Sequence, residues 1–226
     1  MLASTLVLNF HGLGEPPAGL DAAALRYFVT EKVFTDTIHM LNAAERASGR
    51  RVRITFDDGN ASDITLALPQ LIDAGRSATF FVLAGRIGTP GYLCGADLRE
   101  MEAAGMSIGS HGWNHVDWTR TSGASRHHEL RDARSRIEDE IGGRVTEAAP
   151  PFGRFDKLLL RDLKREGYER VYSTVHGLSY DRSWFCPRWS ATNTFNPQTD
   201  LMPALSLPKA LRDTAKAFAR HLRYRI

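Results

Sequence analysis

Short apolar runs alternate with longer amphipathic segments along most of the chain. Seven runs have the length and the β-branched or aromatic content of strands: residues 5–10, 52–56, 78–83, 107–110, 145–149, 170–174 and 184–189. Five segments between them repeat apolar residues at helical spacing: residues 31–47, 62–74, 96–104, 125–141 and 157–166. A glycine follows each predicted helix within two residues, which indicates a left-handed C-terminal turn.

Strands that alternate with helices of this length predict parallel βαβ units, because parallel neighbours need a long crossover connection. Seven strands favour an α/β barrel or part-barrel over an open sheet. With 226 residues, the chain is long enough for one domain with a full core and short for two. We therefore expect a single domain over residues 1–226, in which the basic, amphipathic residues 208–226 form a C-terminal helix.

The composition is that of an ordinary globular protein, with 42% hydrophobic and 24% charged residues. The net charge is only +3, and no long stripe of lysine and arginine is interleaved with aromatic residues, so we expect no nucleic-acid partner. Two cysteines are too few for a disulfide framework. Because residues 1–10 lack the features of a secretory signal, we expect a cytoplasmic protein.

The first candidate for chemistry is a pair of adjacent acids. The apolar strand 52–56 runs directly into Asp57, Asp58 and Gly59. Neighbouring carboxylates at the mouth of a core strand disfavour each other's ionisation, and a bound cation or a proton-transfer role would offset that effect. A solvated Asp-Gly turn explains the pattern equally well when it is taken alone.

The second candidate is a pair of histidines. His111 and His115 follow the strand 107–110 and would share one face if the segment were helical. Two imidazoles and one carboxylate leave a fourth position open on a metal ion, as a hydrolytic site requires. Pairs at this spacing are often incidental, but here both features lie at C-terminal strand ends, where barrel active sites form.

A third strand end carries a rigid turn. Pro150 and Pro151 have no N–H, so the first backbone donor after them belongs to Phe152. A fixed amide of this kind suits the stabilisation of an oxyanion. A Pro-Pro-Phe-Gly sequence is also compatible with a turn that has no catalytic part.

Together these motifs resemble those of the polysaccharide deacetylase family, carbohydrate esterase family four, which includes chitin and peptidoglycan deacetylases. Three motifs occur in the family's order: Thr-Phe-Asp-Asp-Gly at 55–59, Ser-His-x-x-x-His at 110–115 and Pro-Pro-Phe-Gly at 150–153. Ala-Thr-Phe-Phe-Val at 78–82 is also typical, and the resemblance covers roughly residues 6–189. It implies a distorted (β/α)7 barrel and the removal of N-acetyl groups from an exopolysaccharide, oligosaccharide or cell-envelope glycan precursor.

The resemblance also implies roles for individual residues. Asp58, His111 and His115 would bind a divalent metal, most simply zinc, with cobalt, manganese or nickel as alternatives. Asp57 would be the general base for the water that attacks the amide. The backbone N–H of Phe152 would stabilise the oxyanion that forms.

Two departures from the family pattern lead to further predictions. Ala149 stands where the family commonly has an arginine that orients the base, and we expect Arg188 to replace that charge unless it is a surface residue. The family's late histidine acid is missing, since His221 lies in the basic tail. His11 resembles the early histidine of the poly-N-acetylglucosamine deacetylase branch and is either the acid or a histidine satisfied by local backbone bonds.

Other functions stay open for the sequence alone. A hydrolase of the same fold could cleave C–N bonds in a small non-sugar molecule, or the chain could be a catalytically silent carbohydrate-binding relative. Trp113, between the two histidines, would either stack on a sugar ring or belong to the core. Residues 208–226 would pack on the barrel or dock to an anionic membrane surface, which would place the protein at the inner face of the membrane.

Overall fold

The computed structural model describes residues 4–17, 20, 22–180 and 182–206. The strands in this part of the chain are β1 (Ser4–Phe10), β2 (Gly12–Leu13), β3 (Phe28–Val29), β4 (Arg51–Asp58), β5 (Ala78–Val82), β6 (Ser107–Ser110), β7 (Glu147–Ala148), β8 (Arg170–Ser173), β9 (Ser179–Tyr180), β10 (Phe185–Pro187) and β11 (Trp189–Ser190). The α-helices are α1 (Ala22–Leu25), α2 (Glu31–Ser48), α3 (Leu68–Asp73), α4 (Gly95–Ala103), α5 (Gly123–His127), α6 (Ala133–Ile141), α7 (Lys157–Arg165) and α8 (Pro197–Leu205).

The main sheet forms a nearly closed ring of parallel strands. Its hydrogen-bonded order is β1, β4, β5, β6, β7, β8, and the segment β10–β11 fills the seventh position. β10 pairs with β8, whereas β11 pairs with β1, so this segment changes partner at Arg188. β9 adds an antiparallel pairing to the start of β1. The expected α/β class and the seven-stranded barrel are confirmed.

Alternation along the strands separates an outer apolar layer from the barrel interior. On β1, Leu6, Leu8 and Phe10 belong to the outer cluster, which packs against the helices. In the same layer Phe10 makes an edge-to-face contact with Phe34 of α2, with ring centroids 5.1 Å apart. This layer holds the helices on the sheet and leaves the inward positions free for other side chains.

The barrel interior is packed rather than open. An inner cluster joins residues from five strands or strand ends: Val7, Phe81, Ala149, Tyr172 and Cys186. Beneath it, the Tyr172 hydroxyl donates a hydrogen bond of 3.1 Å to Glu147 and accepts one of 2.9 Å from Arg53. Polar groups at the carboxyl ends of the strands therefore lie above a closely packed barrel interior.

Several elements differ from the sequence expectations. The segment predicted as the helix 62–74 begins with a π-helical turn, Asp63–Ala67, before α3. The predicted helix 125–141 begins earlier, with α5, and its middle turn, His128–Asp132, is π-helical. The last predicted strand divides into β10 and β11. α8 was missed because Pro203 lies inside it and proline is normally a helix breaker.

The predicted C-terminal helix, residues 208–226, lies outside the described residues, so the single-domain extent over the whole chain stays a prediction. Among the helices that are described, none has both the length and the apolar composition needed to cross a bilayer.

Candidate metal and catalytic site

Strand register brings the candidate residues to one edge of the barrel. Asp58, Val82, Ser110 and Ala148 are successive partners on β4, β5, β6 and β7. His111 follows Ser110 directly, at the end of β6. Because neighbouring parallel strands end at the same level, segments that are distant in sequence meet at the mouth of the barrel.

Asp58, His111 and His115 form a compact group of possible metal ligands. Asp58 Oδ1 lies 3.7 Å from His111 Nε2 and 3.4 Å from His115 Nε2. A tetrahedral zinc ion with bonds of about 2.0–2.1 Å would hold its ligand atoms about 3.3 Å apart. Asp58 Oδ1 is buried and has no hydrogen-bond partner among the described residues, as expected for an atom that a cation would contact. The three side chains fit a divalent metal.

The orientation of His111 and the burial of His115 also suit a metal. His111 Nδ1 lies 2.6 Å from the carbonyl oxygen of Ala149, which can only accept, so Nδ1 carries a hydrogen and Nε2 is the ring nitrogen that faces Asp58. Burial, followed by the neighbouring His111, lowers the pKa of His115 to about 4. His115 is therefore neutral near pH 7, the form that coordinates a cation.

The loop between the two histidines is not helical, so helical spacing is not what brings them together. Gly112 has φ of 90° and His115 has φ of 56°. The non-glycine residues with positive φ in the described chain are His115, Asp58 and Phe152, and all belong to this site. Such conformations are strained by on the order of 1–3 kcal/mol each and persist where the surroundings enforce them.

Asp57 lies beside the metal-ligand group but faces a different partner. Its carboxylate accepts a bidentate pair of hydrogen bonds from Arg188, with Nη1 2.7 Å from Oδ1 and Nη2 2.8 Å from Oδ2. Asn9 Nδ2 donates to Oδ2 at 3.1 Å. Burial alone would raise the pKa of Asp57, but the charges of Arg188, His111 and His11 outweigh it and hold this pKa well below its usual range. Asp57 is thus ionised and fixed in orientation.

Arg188 is fully buried in the barrel rather than on its surface. Its guanidinium carbon lies 5.4 Å from the ring centroid of Phe81 and 5.9 Å from that of Tyr172, and Nε donates to the Ser173 carbonyl at 3.3 Å. The small side chain of Ala149 belongs to the same inner cluster as these rings. A positive charge therefore reaches the acid from the strand that closes the barrel, not from the residue before the Pro-Pro pair.

His11 follows β1 and faces Asp57, with Nε2 3.8 Å from Oδ2. Its ring stacks on Tyr27 at a centroid distance of 4.5 Å. Nδ1 is buried without a hydrogen-bond partner in the described structure, so local backbone bonds do not satisfy this ring. Burial lowers the pKa of His11, while Asp57 and Asp58 act in the opposite direction. The imidazole is therefore neutral near pH 7.

Phe152 and Trp113 occupy different surroundings. The Phe152 ring lies 4.7 Å from the His115 ring, and the residue is 54% exposed. The half-buried Trp113 ring is 4.4 Å from the His128 ring and packs closely against Gly85. The structure thus brings Phe152 to the metal ligands and leaves Trp113 at the flank of the histidine loop.

Sequence reasoning missed Asn9, which bonds both members of the buried ion pair. Asn9 Oδ1 accepts from Arg188 Nη1 at 2.9 Å and from the Thr55 hydroxyl at 2.7 Å, while its amide donates to Asp57. The available signal was an amide at an inward position of an otherwise apolar strand, one that needs buried partners.

We predict that Arg188→Leu lowers the free energy of unfolding by about 3–5 kcal/mol at pH 7, because it leaves Asp57 buried and unpaired. Arg165→Leu is the control, since Arg165 is 66% exposed in its ion pair with Asp162 and should change stability by under about 1 kcal/mol. Urea denaturation of the metal-free proteins measures both differences.

The difference in unfolding free energy between the wild type and Arg188→Leu should become smaller as the pH falls below about 4. A depressed carboxyl pKa contributes stability above the unfolded-state pKa and loses it as the pH approaches the folded-state value. A change in Arg188→Leu as small as in the control would contradict the importance of the buried pair.

The chain is similar in sequence to known deacetylases. Residues 44–171, more than half of the chain, match the family described as Polysaccharide deacetylase. The putative polysaccharide deacetylase YxkH of Bacillus subtilis (strain 168) is 28% identical over 138 residues, which cover 61% of this chain and 50% of the relative. The peptidoglycan-N-acetylglucosamine deacetylase PgdA of Listeria monocytogenes serotype 1/2a (strain 10403S) is 27% identical over 140 residues, 60% of this chain and 28% of that protein.

The chain thus spans half or less of the length of these two curated relatives. A solved structure, Streptococcus pyogenes deacetylase PplD in complex with acetate, superposes with a TM-score of 0.78 over 91% of this chain and 100% of that chain at 20% identity, which shows a shared fold. From the family match over residues 44–171, this chain belongs to the polysaccharide deacetylase family.

Proposed function

We propose that this protein is a metal-dependent N-deacetylase that hydrolyses the acetamide of an N-acetylated sugar in a polysaccharide, an oligosaccharide or a glycan precursor. One observation carries the proposal. An ionised, oriented Asp57 lies directly beside Asp58, whose unpartnered oxygen faces two imidazoles. PgdA, which is named for an N-acetylglucosamine substrate in peptidoglycan, supports the substrate class.

Asp58, His111 and His115 would hold the cation, and three nitrogen and oxygen ligands leave room for a further ligand. Zinc suits such a set best, and cobalt, manganese and nickel also fit it. A bound divalent cation would lower the pKa of water and polarise the acetyl carbonyl.

Asp57 would take the proton of the attacking water. Its lowered pKa keeps the carboxylate ionised at neutral pH, and the bidentate contact with Arg188 fixes the plane of both oxygens. A base of low pKa is effective only toward an acidified water, which ties its action to the metal-ligand group beside it.

His11 would give the proton to the departing amine, because an amide nitrogen does not leave as an anion. Its lowered pKa means that the ring starts neutral, so it has to gain a proton before it can act as the acid. Asp57 Oδ2 is 3.8 Å from His11 Nε2, so a proton accepted by Asp57 can pass to the imidazole after a small movement. The backbone N–H of Phe152 would stabilise the oxyanion.

A catalytically silent carbohydrate-binding protein would not need the ionised Asp57 or the unsatisfied atoms of Asp58 and His11. A binding protein gains nothing from buried, unsatisfied atoms on Asp58 and His11, each of which reduces stability. Cleavage of a small non-sugar amide would use the same groups, and the release of acetate from sugar substrates separates the two activities.

The central test is release of acetate from chitooligosaccharides and poly-N-acetylglucosamine after loading with zinc or cobalt. Asp57→Asn should bind metal as before and lower kcat by at least about 10²-fold, since it removes the base. Asp73→Asn, at an exposed position of α3, is the matched control and should keep full activity. Absence of acetate release from all N-acetylated glycans by the wild-type protein would refute the proposal.

The role of His11 can be tested with two substrates, of which only one has a leaving group that needs a proton. His11→Gln should lower kcat on N-acetylated sugars by about 10²–10⁴-fold. It should affect p-nitrophenyl acetate hydrolysis much less, because the phenolate leaves without a proton. Asp57→Asn should lose both activities, so it serves as the comparison. Equal losses on the two substrates for His11→Gln would exclude His11 as the proton donor.

A further inference from the structure

We infer that Glu129 is a positioning residue for the metal site: its buried carboxylate holds the loop between His111 and His115 in the shape that directs both imidazoles at Asp58. The inference rests on the proposed function in one respect, that this loop binds a metal. It assigns a role to a charged residue outside the sequence motifs of the family resemblance.

The Glu129 carboxylate is enclosed by donors from one loop. The residue is only 2% exposed. Oε2 accepts a hydrogen bond of 2.8 Å from the backbone N–H of Trp113 and one of 3.3 Å from Trp118 Nε1. Oε1 accepts from both the backbone N–H and the side-chain amide of Asn114, each at 3.2 Å. In the described structure, no ion pair neutralises Glu129, so these dipoles balance its charge.

The loop needs such an acceptor because no backbone carbonyl accepts from the N–H groups of Trp113 and Asn114 in the described hydrogen bonds. Even in a helix that began after β6, these groups would lie in the first turn, whose N–H groups have no intrahelical partner. The positive φ values of Gly112 and His115 give the segment a non-helical path, so a side chain has to accept. A partly buried N–H without a partner costs about 1–3 kcal/mol. One carboxylate, which offers about four lone-pair sites, accepts from both N–H groups.

The backbone around Glu129 is adapted to this contact. Glu129 lies in the π-helical turn His128–Asp132, in which both Glu129 and Leu130 are buried. π-Helical turns insert one residue into a helix, which turns an additional side chain toward the interior. A Cβ on Gly112 would lie only 2.6 Å from Glu129 Oε2, so glycine is required for the close approach.

His115 is the ligand that depends most on this support. Its side chain is 25% exposed, whereas that of His111 is 2% exposed and is anchored by the Ala149 carbonyl. His115 follows Asn114 directly, and Glu129 holds Asn114 at two atoms. Loss of Glu129 should therefore misplace His115 and reduce metal affinity before it affects the barrel.

The experiment measures the dissociation constants of Zn²⁺ and Co²⁺ for the metal-free full-length protein by competition with a chromophoric chelator, together with the Co²⁺ absorption spectrum. Glu129→Gln has the same size but directs an NH₂ group at N–H donors. We expect its metal affinity to fall about 10–100-fold with a changed cobalt spectrum, as for other residues that orient metal ligands.

Glu138→Gln is the matched control. The Glu138 carboxylate of α6 also accepts a backbone hydrogen bond, from Val145 N–H at 2.9 Å, but it touches no residue of the histidine loop in the described contacts. Its metal affinity and cobalt spectrum should equal those of the wild type. Glu129→Asp, which is one methylene too short to reach both N–H groups, is a second variant that should resemble Glu129→Gln.

Wild-type affinity and spectrum in Glu129→Gln would overturn the inference, even if the variant were less stable. If Glu129→Gln does not fold, Glu129→Asp decides, and loss of folding in both would show that the residue serves the fold as a whole. A wild-type protein that binds metal tightly but releases no acetate would refute the proposed function and leave the role of Glu129 intact. A wild-type protein without metal affinity would overturn both.

Discussion

Two adjacent carboxylates, one buried and one half-buried, lie at the end of one strand, and the site is arranged around their mutual repulsion. The two carboxylates face different partners. Asp57 points into the barrel, where the guanidinium of Arg188 pairs with both oxygens. Asp58, with φ of 78°, turns toward His111 and His115 and keeps one oxygen unpartnered. The negative charge of Asp57 is thereby balanced by Arg188, and the carboxylate is held in one orientation. Asp58 is left to bind a cation.

The pairing of Asp57 with Arg188 also connects the candidate site to the strand segment that closes the barrel. Arg188 is the residue at which the last strand segment changes its partner from β8 to β1. Its guanidinium is enclosed by the rings of Phe81 and Tyr172 and by the Ser173 carbonyl. Position 149, before the Pro-Pro pair, is an alanine, and the positive charge beside Asp57 comes from a residue far away in sequence.

The parts of this architecture that depend on local periodicity were predictable. Alternating strands and helices predicted parallel βαβ units, and the family resemblance implied that they close into a barrel. The convergence of parallel strand ends predicted that Asp58, His111 and His115 would meet. The loop conformation was not predictable, because the loop's N–H groups bond to the carboxylate of Glu129 in a π-helical turn further along the chain. The bonds of Asn9 were missed for a similar reason, since they depend on which inward side chains face each other after closure.

A crystal structure of the zinc-soaked protein, with data collected on both sides of the zinc absorption edge, tests whether the side chains of Asp58, His111 and His115 bind a metal. We predict one anomalous peak about 2.0–2.2 Å from Asp58 Oδ1, His111 Nε2 and His115 Nε2, and no such peak in Asp58→Ala. A wild-type site without a peak, or zinc bound only elsewhere on the chain, would contradict this prediction.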